Sequence, residues 1–296
     1  MSNIFVSGLV NIETTCKIGQ FPIEYSPIDY NFFGVNMGVA GVGYNLAKSF
    51  KTLGDDVDIA TMIGDDLMGR IILSEFDNEK ISTIHIKKKL KETPTSAILY
   101  DDEGKRKIYC DLKDIQETEY DFDNIDLSEY DIVVACNINY NRPLLKKAKA
   151  AGSIIATDVH VLSDINDEYN KDFLEDSNIL FLSDEGISGN PKDFIMEIEK
   201  KYKNDIIVLG QGKNGALMYV KAEDKFYDLE AAKAEKVLNT VGAGDSLFSS
   251  FICMYARNYN PCEALKKAQC YAAHKIGFDG AANGFMSLEE LDKIKY

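Results

Sequence analysis

Short, wholly apolar runs alternate along the first two thirds of the chain with longer segments whose apolar side chains recur every three or four residues. Ile4–Gly8, Val57–Ile63, Ile132–Cys136, Ile154–Thr157, Ile179–Leu182 and Ile206–Leu209 read as strands. They lack a polar alternate face, which suits strands covered on both sides. Between them, Leu46, Ala47, Phe50 and Leu53 line one helical face before Gly54, and Phe194, Ile195, Ile198 and Tyr202 do the same after Pro191. Pro143 opens a third helix and Gly152 closes it. The rhythm predicts an α/β fold, a central mostly parallel sheet with helical layers on both sides. With no repeat or low-complexity stretch, residues 1–296 read as a single domain.

Two regions break the rhythm. Residues 14–37 are rich in aromatic and β-branched types, with Pro22 and Pro27 as turn signals. Residues 95–110 read as a hairpin: Ser96–Tyr100, a turn at Asp101-Asp102-Glu103-Gly104-Lys105, then Lys107–Cys110. Together they predict a small sheet outside the main layer, with segments near 12–38 and 95–111 that are either surface excursions or a lid that excludes water from a site beneath it. Tyr25, Tyr30, Phe32 and Phe33 are expected mostly as packing inside that lid, with stacking on a ligand ring as the alternative. The C-terminal third is helical: Gly242 to Asn258, Pro261 to Phe278, and a short last helix opened by the capping box Ser287-Leu288-Glu289-Glu290.

Composition narrows the function classes. With 296 residues and 45% hydrophobic content the chain can bury a substantial core. A net charge of −15 disfavours nucleic acid as a partner. It does not exclude a nucleotide, which backbone N–H groups and a metal ion can hold on an acidic protein. No apolar run suffices to span a bilayer, and the N-terminal residues read as a first strand, not a signal peptide. Six cysteines without a C-x-x-C pair, scattered through apolar segments, suit reduced buried thiols in a cytoplasmic protein. His85, His160 and His274 lack metal-ligand spacing.

Three glycine-rich stretches carry the candidate chemistry. In Val241-Gly242-Ala243-Gly244-Asp245, small residues precede a helical pattern. The backbone there can approach a ligand, and the unpaired N–H groups of the helix start favour an anion. Asp245 would set a carboxylate beside that anion hole, able to take a proton from an attacking hydroxyl. A tightly packed helix start, with Asp245 merely favourable near the dipole, is an equal alternative. Gly210-Gln211-Gly212-Lys213-Asn214-Gly215 matches G-x-G-x-x-G after a strand. Ala216–Val220 then reads as another strand, so the stretch is a turn between strands and not a dinucleotide fingerprint. No G-x-x-x-x-G-K-[ST] occurs, which excludes a Walker-type NTPase. In Gly38–Ala47, glycines lead into an amphipathic helix carrying Asn45, either a packing surface or a place for a polyhydroxyl substrate.

These stretches, in this order and separation, resemble the ribokinase-like (PfkB) family of carbohydrate kinases over nearly the whole chain. Residues 239–245 are similar to its D-T-x-G-A-G-D signature, Ala40–Ala47 to G-G-x-x-x-N-x-A, and Gly64–Gly69 to a G-x-D-x-x-G segment. The resemblance implies a three-layer α/β domain with a small β lid, and ATP with Mg²⁺. It implies Asp245 as general base and Gly242, Ala243 and Gly244 as the anion hole. It places Asn11, Glu13, Gly41 and Asn45 at the substrate and Gly210, Gly212, Gly215 and Thr240 near the nucleotide. Four departures stand out. Glu13 takes the place of an Asp, and Ala40 that of a glycine. Asn239 replaces an Asp that helps build a monovalent-cation site in relatives, which weighs against potassium activation. Ser183 and Gly186 stand where an N-x-x-E supports magnesium, leaving Asp184 or Glu185 as indirect candidates.

The expected function is phosphate transfer from ATP to a hydroxyl of a sugar-like molecule. The alternatives are a nucleoside kinase, a sugar-phosphate kinase using Lys105, Arg106 or Lys107, and a non-catalytic sugar or nucleotide sensor. A homodimer through the lid is expected by analogy, with no membrane or nucleic-acid partner.

Overall fold

The computed structural model describes residues 1–103 and 105–294. The turn expected around Gly104 therefore lies partly outside the described residues. A nine-stranded sheet forms the centre, in the order β13-β12-β11-β10-β9-β8-β1-β4-β5. Its strands are β1 (Asn3–Ser7), β4 (Asp56–Gly64), β5 (Ile86–Leu90), β8 (Ile132–Ala135), β9 (Ile154–Val161), β10 (Ile179–Ser183), β11 (Ile206–Gly210), β12 (Ala216–Val220) and β13 (Lys225–Leu229). All neighbours from β5 to β11 are parallel, and β12 and β13 close one edge antiparallel.

The strands are apolar on both faces because two cores flank them. On β1, Ile4 and Val6 enter one core and Phe5 the other. The first core is closed by α1 (Val42–Thr52), α2 (Leu67–Asn78), α6 (Ala243–Ala256), α7 (Pro261–Lys275) and α8 (Leu288–Lys293). The second is closed by α3 (Arg142–Ala151), α4 (Lys171–Asp176) and α5 (Pro191–Tyr202). Local signals fix the ends as expected. Gly152 caps α3 in the left-handed conformation, and Ser287 with Glu290 forms a complete capping box at α8.

β2 (Asn11–Lys17), β3 (Val35–Ala40), β6 (Thr95–Tyr100) and β7 (Arg106–Asp111) make a second sheet, ordered β3-β2-β6-β7. β2 runs antiparallel to β3 and parallel to β6, and β6 runs antiparallel to β7. Asp66 anchors the base of this sheet: it caps α2 through Gly69 N and accepts from the N–H and hydroxyl of Thr93, two residues before β6.

Two expectations need correction, and two strands were not expected. Tyr25, Tyr30, Phe32 and Phe33 are not packing inside a lid; Phe33 is 100% exposed and Tyr25 94%. The segment 18–34 joins β2 to β3 without pairing to a strand of its own, so it has no face on which to bury them. The cysteines are not uniformly buried: Cys136, Cys253 and Cys270 are, while Cys110 on β7 is exposed because the small sheet carries no helical layer over that strand. Finally, β5 and β13 carry no sequence signal. β5 reads Ile-Lys-Lys-Lys-Leu, and edge strands of this kind are charged to discourage pairing with another chain.

Candidate active site

The carboxyl ends of β9 and β11 border the start of α6: Asp158 and His160 act on the charge of Asp245, and Gly210 lies beside Leu247. Gly242 is the N-cap of α6, with φ of 78°. A Cβ there would lie 2.4 Å from the carbonyl oxygen of Ala281, so only glycine fits. Beyond it, a Cβ at Gly244 would meet nothing within 4 Å, which leaves open space above the first helical turn. Ala243 N donates to the carbonyl of Thr240 and Ser246 N to that of Gly242, which leaves the N–H groups of Gly244 and Asp245 at the positive end of the dipole.

Asp245 stands in the same turn and keeps some exposed surface. Its Oδ2 accepts a hydrogen bond of 2.7 Å from Asn45 Nδ2, joining α6 to α1. Burial raises the Asp245 carboxyl above its ordinary range. The Asn45 hydrogen bond and the charges of His160 and Lys275 oppose this, while Asp158 reinforces it.

Asn45 is buried and its Oδ1 has no partner. Asn11, at the start of β2, repeats the pattern: Nδ2 donates to Ser96 Oγ at 2.7 Å and the buried Oδ1 is unpartnered. Unsatisfied buried acceptors are costly and rare, and each suits a ligand that brings a hydroxyl donor. The local backbone explains their placement. Gly41, with φ of 97°, caps α1, and its Cβ would collide with the carbonyl of Leu9 at 2.5 Å. A Cβ on Gly43 would lie 2.7 Å from the backbone of Gly8. Small residues thus let α1 press onto the end of β1 and carry Asn45 to Asp245.

Glu13 pairs with Gly38 on β3 and Ser96 on β6, placing it on the face of the small sheet that holds Asn11. Burial raises its carboxyl, and Arg106 opposes the rise. Arg106 pairs with Tyr100 and shares that face, whereas Lys107 turns to the other and lies 4.9 Å from the ring centroid of Tyr109. Lys105 is engaged with Glu103.

Gly210, Gly212 and Gly215 form the turn from β11 to the antiparallel β12, and Gly212 and Gly215 have positive φ. The strand-turn-strand reading holds. A Cβ on Gly210 would lie 3.9 Å from Leu247 of α6, so the turn borders the helix start. Thr240 is exposed, and its carbonyl accepts from Ala243 N. Asp184 follows β10, with its N–H on the carbonyl of Gly210, and Glu185 points outward. Among the described residues, no group of three or more His, Cys, Asp or Glu side chains could hold a metal ion.

Asp158, His160 and Lys275 were not picked out by sequence reasoning. Asp158 Oδ1 accepts from His160 N, and Asp158 Oδ2 lies 3.7 Å from His160 Nδ1. Their signal was available: polar residues at the carboxyl end of a parallel strand are the usual ligand positions of such sheets. Lys275 had no such signal, because a lysine near a helix end reads as solvated.

The family profile described as pfkB family carbohydrate kinase matches residues 1–287. A 5-dehydro-2-deoxygluconokinase of Mesomycoplasma hyopneumoniae is 26% identical over 282 residues, covering 83% of this chain and 82% of its own. A ribokinase of Dictyostelium discoideum is 24% identical over 322 residues, covering 98% of this chain and 99% of its own. Among solved structures, a microbiome-derived acarbose kinase superposes with a TM-score of 0.88 at 22% identity, covering 99% of this chain and 98% of its own. At that identity the likeness is one of fold. Among the described residues, no helix is long and apolar enough to cross a membrane.

Proposed function

The chain belongs to the pfkB family of carbohydrate kinases, and within it we propose that Asp245 takes the proton from a sugar-like hydroxyl as that oxygen attacks the γ-phosphoryl group of ATP. The observation that carries this reading is the Asn45–Asp245 pair at the start of α6, with the unpartnered Oδ1 of Asn45 beside it. A carboxylate whose proton affinity is raised by burial is a better base than an ordinary surface Asp, and the hydrogen bond from Asn45 favours its charged form. The N–H groups after Gly242 sit where charge develops on the transferring group.

The acceptor lies between the small sheet and the carboxyl ends of the strands, its hydroxyls donating to Asn11 and Asn45 and meeting Glu13. Gly41 shapes the wall behind Asn45. The nucleotide lies along Gly210, Gly212 and Gly215 and past Thr240. The residues fit a magnesium ion that arrives on the nucleotide phosphates rather than one held by a protein cage, with Asp184 a nearby carboxylate. Such an ion, when bound, neutralises phosphate charge. The small sheet acts as a lid, and its outer face, where Val35, Met37 and Tyr109 are exposed, suits pairing with a second copy. The chain works in the cytoplasm, where its six thiols stay free.

Arg106 favours a second reading of the acceptor. Its place on the inner face beside Glu13 suits a sugar acid, in line with the name of the gluconokinase relative. An ADP-release assay with a panel of pentoses, hexoses, sugar acids, sugar phosphates and nucleosides tests both readings. Turnover with a sugar or sugar acid is expected. Turnover with nucleosides alone would replace the acceptor, and ADP from none would favour a sensor.

A further inference from the structure

Lys275, at the end of α7, has 0% exposed surface. Burying an ammonium is expensive, and a lysine in such a place ordinarily meets a carboxylate. The hydrogen bonds of Lys275 go instead to two backbone carbonyls: Nζ donates to Val241 O and to Gly280 O, each at 2.6 Å.

Both carbonyls belong to the turns that shape the anion hole. Val241 immediately precedes the left-handed cap Gly242. Gly280, itself at φ of 79°, precedes Ala281, whose carbonyl leaves room for no side chain at Gly242. The same two turns are joined on the outside by Asn239. Its Nδ2 donates to Asp279 Oδ1 at 3.1 Å, and its Oδ1 accepts from Val241 N at 2.8 Å. Burial pulls the Lys275 ammonium below the usual lysine range, and the charges of Asp245 and Asp279 hold it up.

Converging backbone carbonyls in a dry place are the surroundings in which a monovalent cation exchanges its hydration shell for protein oxygens. Here an ammonium is already among them, tethered to the chain and directly behind the helix start.

We propose that Lys275 is a positioning residue that acts as a built-in cation: it clamps the turns at Val241 and Gly280 into the phosphate-binding shape and makes the enzyme indifferent to free potassium. The proposal rests on the reading of Gly242–Asp245 as the phosphate-binding catalytic turn. It goes beyond the substitution at Asn239 by naming what takes the cation's part.

The test is binding of the non-hydrolysable analogue Mg·AMP-PNP, measured by calorimetry in potassium, ammonium, sodium and tetramethylammonium chloride at equal ionic strength. The wild-type Kd should agree within about twofold in all four salts. In Lys275→Ala it should rise at least tenfold in tetramethylammonium and recover at least half of that loss in potassium or ammonium, which enter the vacated space. Lys275→Met fills the space without charge and should lose affinity with no recovery. A purely structural lysine would give losses indifferent to the salt. Potassium activation of wild-type binding by tenfold, or an equal loss in every salt for Lys275→Ala, overturns the proposal. Should neither variant fold, the wild-type salt series decides: indifference supports the built-in cation and potassium dependence rejects it. Failure of the catalytic reading would appear elsewhere, as full turnover in Asp245→Asn, and would leave this series unchanged.

Discussion

The start of α6, which reads in the sequence as candidate chemistry, and the segment 18–34, whose aromatics read mostly as lid packing, are held in opposite ways. At α6, Asp245 is fixed by Asn45, Gly242 by the backbone of Ala281, and the turn beneath by Lys275. In 18–34, Tyr25, Tyr30, Phe32 and Phe33 are all but fully exposed. Phosphate transfer needs groups preset where charge develops, so the proposed chemistry belongs to the over-determined region. The acceptor side can be open and variable, which suits relatives that share a fold and differ in the names of their substrates.

The contrast can be broken most forcefully at Asp245. Asp245→Asn preserves shape and removes the base, so kcat should fall about 10²–10⁴-fold. Its thermal midpoint at neutral pH should not fall. A carboxyl whose folded pKa is raised binds its proton more tightly folded than unfolded, so its contribution is lost as pH rises through the folded pKa. A neutral amide escapes that loss. A Gly242→Ala substitution comes next. It combines a positive φ with a backbone clash at 2.4 Å and should cost about 1–3 kcal/mol in chemical denaturation. Arg106→Gln should raise KM for a sugar acid about tenfold, the order of one charge-assisted hydrogen bond, and leave a neutral sugar unaffected. The smallest effect belongs to Phe33→Ser, with unfolding free energy changed by no more than about 0.5 kcal/mol. A larger loss would show that the loop is covered in solution.

The three-layer fold was legible because the central strands are apolar on both faces and the helices are amphipathic, a consequence of two cores around one sheet. Asp245, Asn45 and the Gly210–Gly215 turn were legible as local motifs. β5 and β13 were not, since edge strands are chosen for solubility rather than burial. The exposed aromatics misled because composition cannot tell an uncovered side chain from a covered one. Lys275 was illegible because its meaning lies in two carbonyls at 241 and 280, and no side chain announces them.

The central claim concerns the ionisation of one carboxylate, and the pH dependence of kcat reads it directly. In the proposed mechanism turnover requires Asp245 deprotonated, and burial raises its pKa, so the acid limb should lie above the ordinary carboxylate range of about 4. Asn45 donates to that carboxylate and favours its charged form. Asn45→Leu keeps the recess filled and removes the donor, and should therefore move the limb to still higher pH. A profile flat down to about pH 4, or a limb that Asn45→Leu leaves in place, would contradict Asp245 as the base.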